Sequence, residues 1–373
     1  VLVVGGGPAG VEAALRVAEG NGRVVLVEKG AVLGGTPLRL SQSFPRWEDP
    51  KEMLGERLAR LRSFQAAGRV RILPRSIVAS VRRLDEGFSV TVRSTDASGG
   101  AVAEGETQSV EVGAVVLSTG FEPLDVTRYG EYGYGIYPGV ITSLEFEERL
   151  RDWRSGAEDR CPTQSGPSGG RSLSPRSVAF VKCVGSRDKS KGYPYCSKIC
   201  CMYTAKQAGA AMDLFPEGDC YVFYMDYRAA GNGYEEFVRE VIEKQRVRYV
   251  RGRPSKVLPS HGRLLVRAED TLTGVPVEVD VDLVVLAAAS RPSLGSAELG
   301  EMFGVGTDEY GFFKTCPSEL TCCADRVFAA GAAVYPASIE ESQLQGAAAA
   351  AQVLALLSHR GVGEEPSERR GLA

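Results

Sequence analysis

The first ten residues constrain the fold more than any other part of the chain. Val1–Val4 is a short apolar run of strand type, and Gly5-Gly6-Gly7-Pro8-Ala9-Gly10 follows at once. Gly5, Gly7 and Gly10 form a G-x-G-x-x-G pattern. In a strand-to-helix turn the first glycine permits the tight bend and the second lets backbone approach a pyrophosphate. The third lets the helix pack closely on the strand. The helix start then offers amide donors and a positive dipole end to the anion. A helix over Val11–Ala18 and a strand over Arg23–Glu28 complete the unit. Glu28 ends that strand about 20 residues on, where a carboxylate can accept hydrogen bonds from a ribose diol. Lys29 stands beside it. These residues predict a dinucleotide-binding α/β domain.

Three further features favour FAD over NAD. Gly34-Gly35 follows the acidic strand after a short loop, as in many FAD-binding proteins. Ser118-Thr119-Gly120 resembles their closing A-T-G segment. Val327–Gly331 resembles the late strand that leads a helix toward the flavin ring. Ala332 and Ala333 stand where an Asp commonly follows that glycine, so helix-start amides near Ile339 take over the polar role there. The expected FAD contacts are therefore Gly5, Gly7, Gly10, Glu28, Lys29, Gly34, Gly35, Thr119, Gly120 and Gly331.

A helix is expected over Asp49–Ala67, with strands at Arg69–Leu73, Ile77–Leu84, Phe88–Arg93 and Ser109–Leu117. Residues 155–176 are rich in Ser, Gly and Pro and read as a flexible linker. A second α/β pattern follows: strand Ser177–Lys182, helix Lys198–Leu214, strand Cys220–Asp226, helix Tyr234–Gln245, a hairpin region, and strand Asp282–Ala289. The repetition suggests a duplicated nucleotide-binding fold. The expected organisation is a FAD domain over 1–154 and 291–358, the linker, a second domain over 177–290, and a polar tail over 359–373.

Composition excludes several classes. The chain has 373 residues, a formal net charge of −3 and no clustered basic surface, so no nucleic-acid partner is expected. Its apolar runs are too short for a membrane span, and no signal peptide is visible. The first residue is Val in a strand, so a short preceding stretch is expected. Nine cysteines are present, with Cys196, Cys200, Cys201 and Cys322, Cys323 tightly grouped. Such grouping in a large chain suits metal ligation in a reducing cytoplasm better than a disulfide scaffold.

The second domain opens without glycines of its own. Its first strand runs into Cys183-Val184-Gly185-Ser186-Arg187-Asp188, and Cys196, Cys200 and Cys201 follow, giving C-x12-C-x3-C-C. Without the glycines a pyrophosphate cannot approach closely, which argues against a nicotinamide site. One cysteine lies at a strand end and three at a helix start, neighbouring places in a doubly wound fold. Four thiolates suit a [4Fe–4S] cluster. Structural zinc, a redox disulfide and buried packing cysteines remain alternatives on spacing alone.

With these strings in view, the chain resembles the heterodisulfide reductase A-subunit family over nearly its whole length. The resemblance is carried by Cys183–Asp188, Tyr195–Gln207, Tyr132–Gly135 and Val140–Glu147. It implies a thioredoxin-reductase-like fold of two dinucleotide-binding domains, FAD, and a [4Fe–4S] cluster on Cys183, Cys196, Cys200 and Cys201. It places Lys206 near flavin N5 as a catalytic cation, with Glu145 or Glu147 as an acidic partner or simply part of a charged helix face. It implies a cytoplasmic electron-transfer oxidoreductase working with other subunits of a heterodisulfide-reductase-like complex, as a homodimer within it. No C-x-x-C-x-x-C ferredoxin module occurs in the sequence, so a short core form without bifurcation of its own is expected. Pro37–Lys51 lacks Cys, which excludes the flavin-adjacent disulfide of classical flavin disulfide reductases. A self-contained NAD(P)H oxidoreductase and a zinc scaffold are the competing functions. Cys316, Cys322 and Cys323 are expected to be buried or loop thiols.

Overall fold

The computed structural model of the chain describes residues 1–95, 106–156, 175–316 and 321–358. It divides into two compact units. The first comprises Val1–Gly35, Leu54–Phe121 and Pro292–Ala373, and the second Thr36–Met53 and Glu122–Arg291.

The first unit is built on a six-stranded sheet. Its spatial order is Cys322–Ala324, Val327–Ala329, Val115–Leu117, Leu2–Val4, Val24–Val27 and Val70–Leu73. All neighbours run parallel except the antiparallel outermost pair. Leu2–Val4 and Val115–Leu117 are buried throughout, which is why they read as unbroken apolar runs rather than alternating ones. Helices Pro8–Glu19 and Ile339–Ser358 pack closely on each other. A Cβ on Gly346 would come within 2.2 Å of the Ala9 carbonyl oxygen, so the close approach depends on that glycine. An antiparallel sheet of Ser76–Leu84, Gly87–Ser94 and Thr107–Val112 completes the unit. The single strand expected over Ser109–Leu117 is thus two strands in different sheets. Thr107–Val112 is largely exposed, whereas Val115–Leu117 is core, and Gly113-Ala114 separates them.

The second unit repeats the plan. Its parallel sheet has the order Arg248–Arg251, Asp219–Tyr224, Ser177–Val184, Leu283–Ala288 and Val140–Thr142. Helices Ser143–Ser155, Cys200–Leu214 and Tyr234–Glu243 bury Phe146, Met202, Phe237 and Val241 with Phe180 in one core. A three-stranded antiparallel sheet, Lys256–Ser260, Arg263–Asp270 and Val275–Val281, matches that of the first unit. Both units therefore have an opening strand, a helix, a second strand, an antiparallel insert and a closing strand beside the opening one.

The boundary expected at residue 154 is corrected. Val140 pairs with Val284 and Ile141 with Val285, so this segment belongs to the second sheet. It holds the place there that Val327–Ala329 holds in the first. Helix Ser143–Ser155 starts at a capping box, with the Thr142 hydroxyl accepting from the Glu145 amide and Glu145 accepting from the Thr142 amide at 2.6 Å. Its Phe146 and Leu150 are core residues of the second unit. Residues 157–174 of the expected linker, including Cys161, and the 359–373 tail lie outside the described residues.

Candidate functional site

The glycine turn of the first unit is shaped to hold an anion. Gly5 has φ 103°, and a Cβ there would sit 2.3 Å from the Ser118 carbonyl oxygen. Gly10 is tighter still, its notional Cβ falling 1.9 Å from the Gly5 oxygen. Gly7 meets nothing within 4 Å, so the surface before helix Pro8–Glu19 is open on that side. Glu28 Oε2 accepts from the Gly6 amide and Oε1 from the Gly30 amide, each at 2.6 Å. Each oxygen keeps a further lone pair for a diol. Lys29 is exposed. The Gly34 amide donates to Gly6 O at 2.7 Å, closing the following loop onto the turn. Thr119 Oγ1 lies 3.1 Å from Ser296 Oγ, and the Thr119 carbonyl accepts from Ser293. Gly120 and Gly331 both adopt positive φ, and the Gly331 amide donates to Gln345. All ten residues expected to touch FAD lie in this unit, and the open surface at Gly7 with the half-satisfied Glu28 fits a dinucleotide.

At the equivalent strand-to-helix connection of the second unit stand the cysteines. Cys183 occupies the end of strand Ser177–Val184, and Cys200 and Cys201 open helix Cys200–Leu214. These three are buried and within hydrogen-bonding reach of one another through Cys200. Cys196 is half-buried on the connecting loop and shares Arg187 with Cys183 as a neighbour. Amides point at two sulfurs: Lys198 N donates to Cys196 Sγ and Arg228 N to Cys201 Sγ, both at 3.3 Å. The hydrogen bond from Cys200, helped by Lys182 and the Arg228 amide against the opposing effect of burial, lowers the Cys201 thiol to about 5. Cys183 is also lowered, again chiefly by Cys200. The thiolate is the ligating form.

The loop itself is strained and then pinned. Cys183, Arg187 and Lys198 have left-handed backbone angles, φ 59°, 58° and 57°. Such angles are disfavoured for residues with side chains and persist only where surroundings impose them. Ser197 N donates to Ser186 Oγ, and Ser197 Oγ accepts from Ser290 N, both at 2.9 Å. Asp188 Oδ1 accepts from Ser190, and Oδ2 accepts from Tyr129 at 2.8 Å and Arg253 at 3.3 Å. The Ser190 hydroxyl, opposed by burial and aided by Tyr129, lowers the Asp188 carboxyl well below the usual range.

About a turn and a half along the same helix, Lys206 is buried in an ion pair with Glu147, which is itself fully buried. Glu147 also accepts from Gln207 Nε2 at 2.6 Å and from the Ser41 amide and hydroxyl, each at 2.8 Å. Burial works against the Glu147 charge, but Lys206, Ser41 and Gln207 outweigh it and its carboxyl lies below the usual range. Glu145 is the helix-capping residue.

Residues 1–152 match the family model for pyridine nucleotide-disulphide oxidoreductase. The chain is 38% identical over 274 residues to the CoB–CoM heterodisulfide reductase iron–sulfur A-subunit 2 of Methanopyrus kandleri. That alignment covers 70% of this chain and 40% of the relative. It is 38% identical over 259 residues to the A-subunit of the H(2):CoB–CoM heterodisulfide,ferredoxin reductase of Methanothermobacter thermautotrophicus, covering 67% and 38%. The chain belongs to the heterodisulfide reductase A-subunit family. It spans about two fifths of the length of these curated relatives. Among solved structures it is similar to the thioredoxin reductase of T. acidophilum, with a TM-score of 0.62 and 18% identity, covering 96% of this chain and 98% of that one. That similarity fixes the fold as two dinucleotide-binding domains of the thioredoxin-reductase type.

Several residues around the four cysteines carry no signal in the sequence. Lys182 carried no motif, and Ser41 and Asp226 lie far in sequence from the groups they touch. Tyr203 is partly buried beside Cys200 and donates to the Ala288 carbonyl at 3.3 Å. Cys322 and Cys323 lie on strand Cys322–Ala324, and the Cys316 amide donates to Cys322 O at 2.7 Å. All three thiols are partly exposed rather than buried. Among the described residues no three His, Cys, Asp or Glu side chains form a group that could hold a single metal ion. No helix among them is long and apolar enough to cross a membrane.

Proposed function

We propose that the chain binds FAD in its first unit and a [4Fe–4S] cluster in its second, and works as an electron-transfer oxidoreductase subunit of a heterodisulfide-reductase-like complex. The observation that carries this is the exchange at one topological position. Where the first unit has its pyrophosphate-type glycine turn, the second has Cys183, Cys196, Cys200 and Cys201. A mononuclear zinc site needs its ligands to converge on one ion, whereas a cubane takes one thiolate on each of four irons. Four thiolates can serve either, and the iron–sulfur A-subunits that the chain resembles favour the cubane.

FAD supplies exchange between paired and single electrons, and the cluster carries single ones. The protein's own share is binding and orientation. Gly7 and the start of helix Pro8–Glu19 receive the pyrophosphate, and Glu28 holds the ribose diol. The Lys198 and Arg228 amides stabilise sulfur charge. Lys206 is the candidate catalytic residue, a proton-bearing cation held in place by Glu147, with Ser41 and Gln207 fixing the carboxylate. The partners are further subunits of such a complex and a second copy of this chain.

The test is anaerobic purification with iron, acid-labile sulfide and flavin measured per chain. About four irons and four sulfides beside one FAD are expected. Flavin with zinc, or flavin without metal and with direct NAD(P)H turnover, would overturn the reading.

A further inference from the structure

Lys182 is buried, 3% exposed, and among the described residues no carboxylate pairs with it. Its Nζ donates to the Asp226 carbonyl at 3.4 Å and faces the Tyr224 ring at 5.5 Å, and two residues on from Asp226 the Arg228 amide donates to Cys201 Sγ at 3.3 Å. A buried ammonium needs a counter-charge, because leaving water is costly for an isolated ion. A carbonyl dipole and a ring face do not supply a full one. The neighbouring cations are differently placed. Arg187 is paired with Asp226 at 2.6 Å, and the Arg228 side chain is half exposed.

The backbone explains how Lys182 comes to be there. Consecutive side chains on a strand point to opposite faces. Lys182 and Cys183 are consecutive, yet Lys182 Nζ reaches Asp226 O, two residues from the Arg228 amide that donates to Cys201 Sγ. The pairing of strand Ser177–Val184 with Leu283–Ala288 is regular up to Val181 and resumes, shifted, at Val184. Cys183 within that irregularity is left-handed, φ 59°. A local irregularity of this kind re-aims side chains and is frequent beside active sites. It releases Lys182 and Cys183 from the strict alternation of a regular strand.

We infer that Lys182 is the fixed counter-cation of the thiolate-bound cluster and sets its reduction potential upward. The inference rests on the cluster assignment made above. Reduction adds one negative charge to a site that is already net negative. A buried cation stabilises the reduced form more than the oxidised one, and more strongly than an exposed cation does. Lys182 is a positioning and tuning residue, and it takes no part in bond making.

The experiment uses the full chain, purified anaerobically as wild type, Lys182→Met, Lys182→Gln and Lys182→Arg. Iron, sulfide and FAD per chain are measured first, followed by a redox titration of the cluster by electron paramagnetic resonance. In Lys182→Met the cluster is retained and its potential falls by at least tenfold in the one-electron equilibrium, equivalent to about 59 mV. Lys182→Arg stays within threefold of wild type. Loss of iron in the Met and Gln variants, with iron kept in Lys182→Arg and FAD kept in all, also supports the inference, since charge is then what retains the anionic cluster. A retained cluster in Lys182→Met with a potential within threefold of wild type overturns it. So does loss of iron in all three variants, because lysine's shape would then matter rather than its charge. Absence of iron from the wild type would instead refute the cluster assignment itself.

Discussion

Two alanine substitutions in the glycine turn separate folding from cofactor binding. Gly7 has an extended backbone, φ −75° and ψ −173°, which any residue adopts. Its notional Cβ meets no atom within 4 Å. Gly7→Ala therefore costs the apoprotein about 1 kcal/mol at most, through a poorer helix cap. The methyl projects into the open space assigned to the pyrophosphate, and FAD affinity should fall tenfold or more. Gly10→Ala is the opposite case. Its Cβ would lie 1.9 Å from Gly5 O and 2.6 Å from Ser118 Oγ. Neither atom can retreat easily: Gly5 N is bonded to Val27 O at 2.8 Å, and Ser118 Oγ donates to the Val4 and Gly5 carbonyls at 3.0 Å. The helical gain of Ala over Gly, about 1 kcal/mol, does not offset an overlap of this size with backbone. A net loss of about 1–3 kcal/mol in the apoprotein is expected. Urea unfolding of both apoproteins and FAD titration of each decide the matter. Wild-type FAD affinity in Gly7→Ala would refute the pyrophosphate placement, and wild-type stability in Gly10→Ala would refute the packing argument.

Cys200→Ser should lose most of its iron while keeping FAD, because its sulfur links the other two buried cysteines; unchanged iron sinks the ligand assignment. Glu147→Ala should destabilise by about 3–5 kcal/mol in urea, since it strands the buried Lys206 ammonium. Lys206→Met should cost less, about 1–3 kcal/mol, because Glu147 keeps the Ser41 and Gln207 donors. The reverse ranking would contradict the network described. Glu147 also predicts a pH dependence. Its folded pKa is depressed, so its contribution is full above about pH 4.3, the unfolded value, and disappears as pH falls through the lower folded value. Acid-unfolding curves of wild type and Glu147→Gln should therefore converge at low pH; a constant gap would be evidence against it.

What could be read in the sequence was what short spacing encodes. The G-x-G-x-x-G turn works through its own few residues, and the four cysteines declare themselves by type. The family strings carried the rest of the fold. Features that depend on pairing between distant segments did not show. Val140–Thr142 looks like any short apolar run, and only its register with Val284–Leu286 assigns it to the second sheet. The capping box at Thr142 and Glu145 marks the start of the helix that carries Glu147 to Lys206. Lys182 was invisible for a different reason. Its role depends on a strand irregularity that no residue type at 181–184 announces. Asp188 lay within a recognised string, yet its partners Tyr129 and Arg253 are 59 and 65 residues away.

Asp188 also shows how the two strand-to-helix connections differ. In the first unit the turn is short, and glycines remove the strain. In the second it runs from Cys183 to Ile199 and keeps side chains on left-handed residues, each costing about 1–3 kcal/mol. Something must hold that loop, and Asp188 gathers several bonds: Ser190, the Lys191 amide, Tyr129 and Arg253 all donate to it. Asp188→Ala removes these together and leaves the Tyr129 hydroxyl buried without an acceptor, a loss of about 1–3 kcal/mol. If the pinned loop is what presents Cys183 and Cys196 together, iron per chain should drop while FAD, held by the first unit, stays at wild-type level. Asp188→Asn, which keeps an acceptor for Tyr129 but not the charge for Arg253, should fall between the two. Full iron in Asp188→Ala would mean that the cysteines are held by the strand and helix alone, and that the strain of the loop serves no purpose in binding.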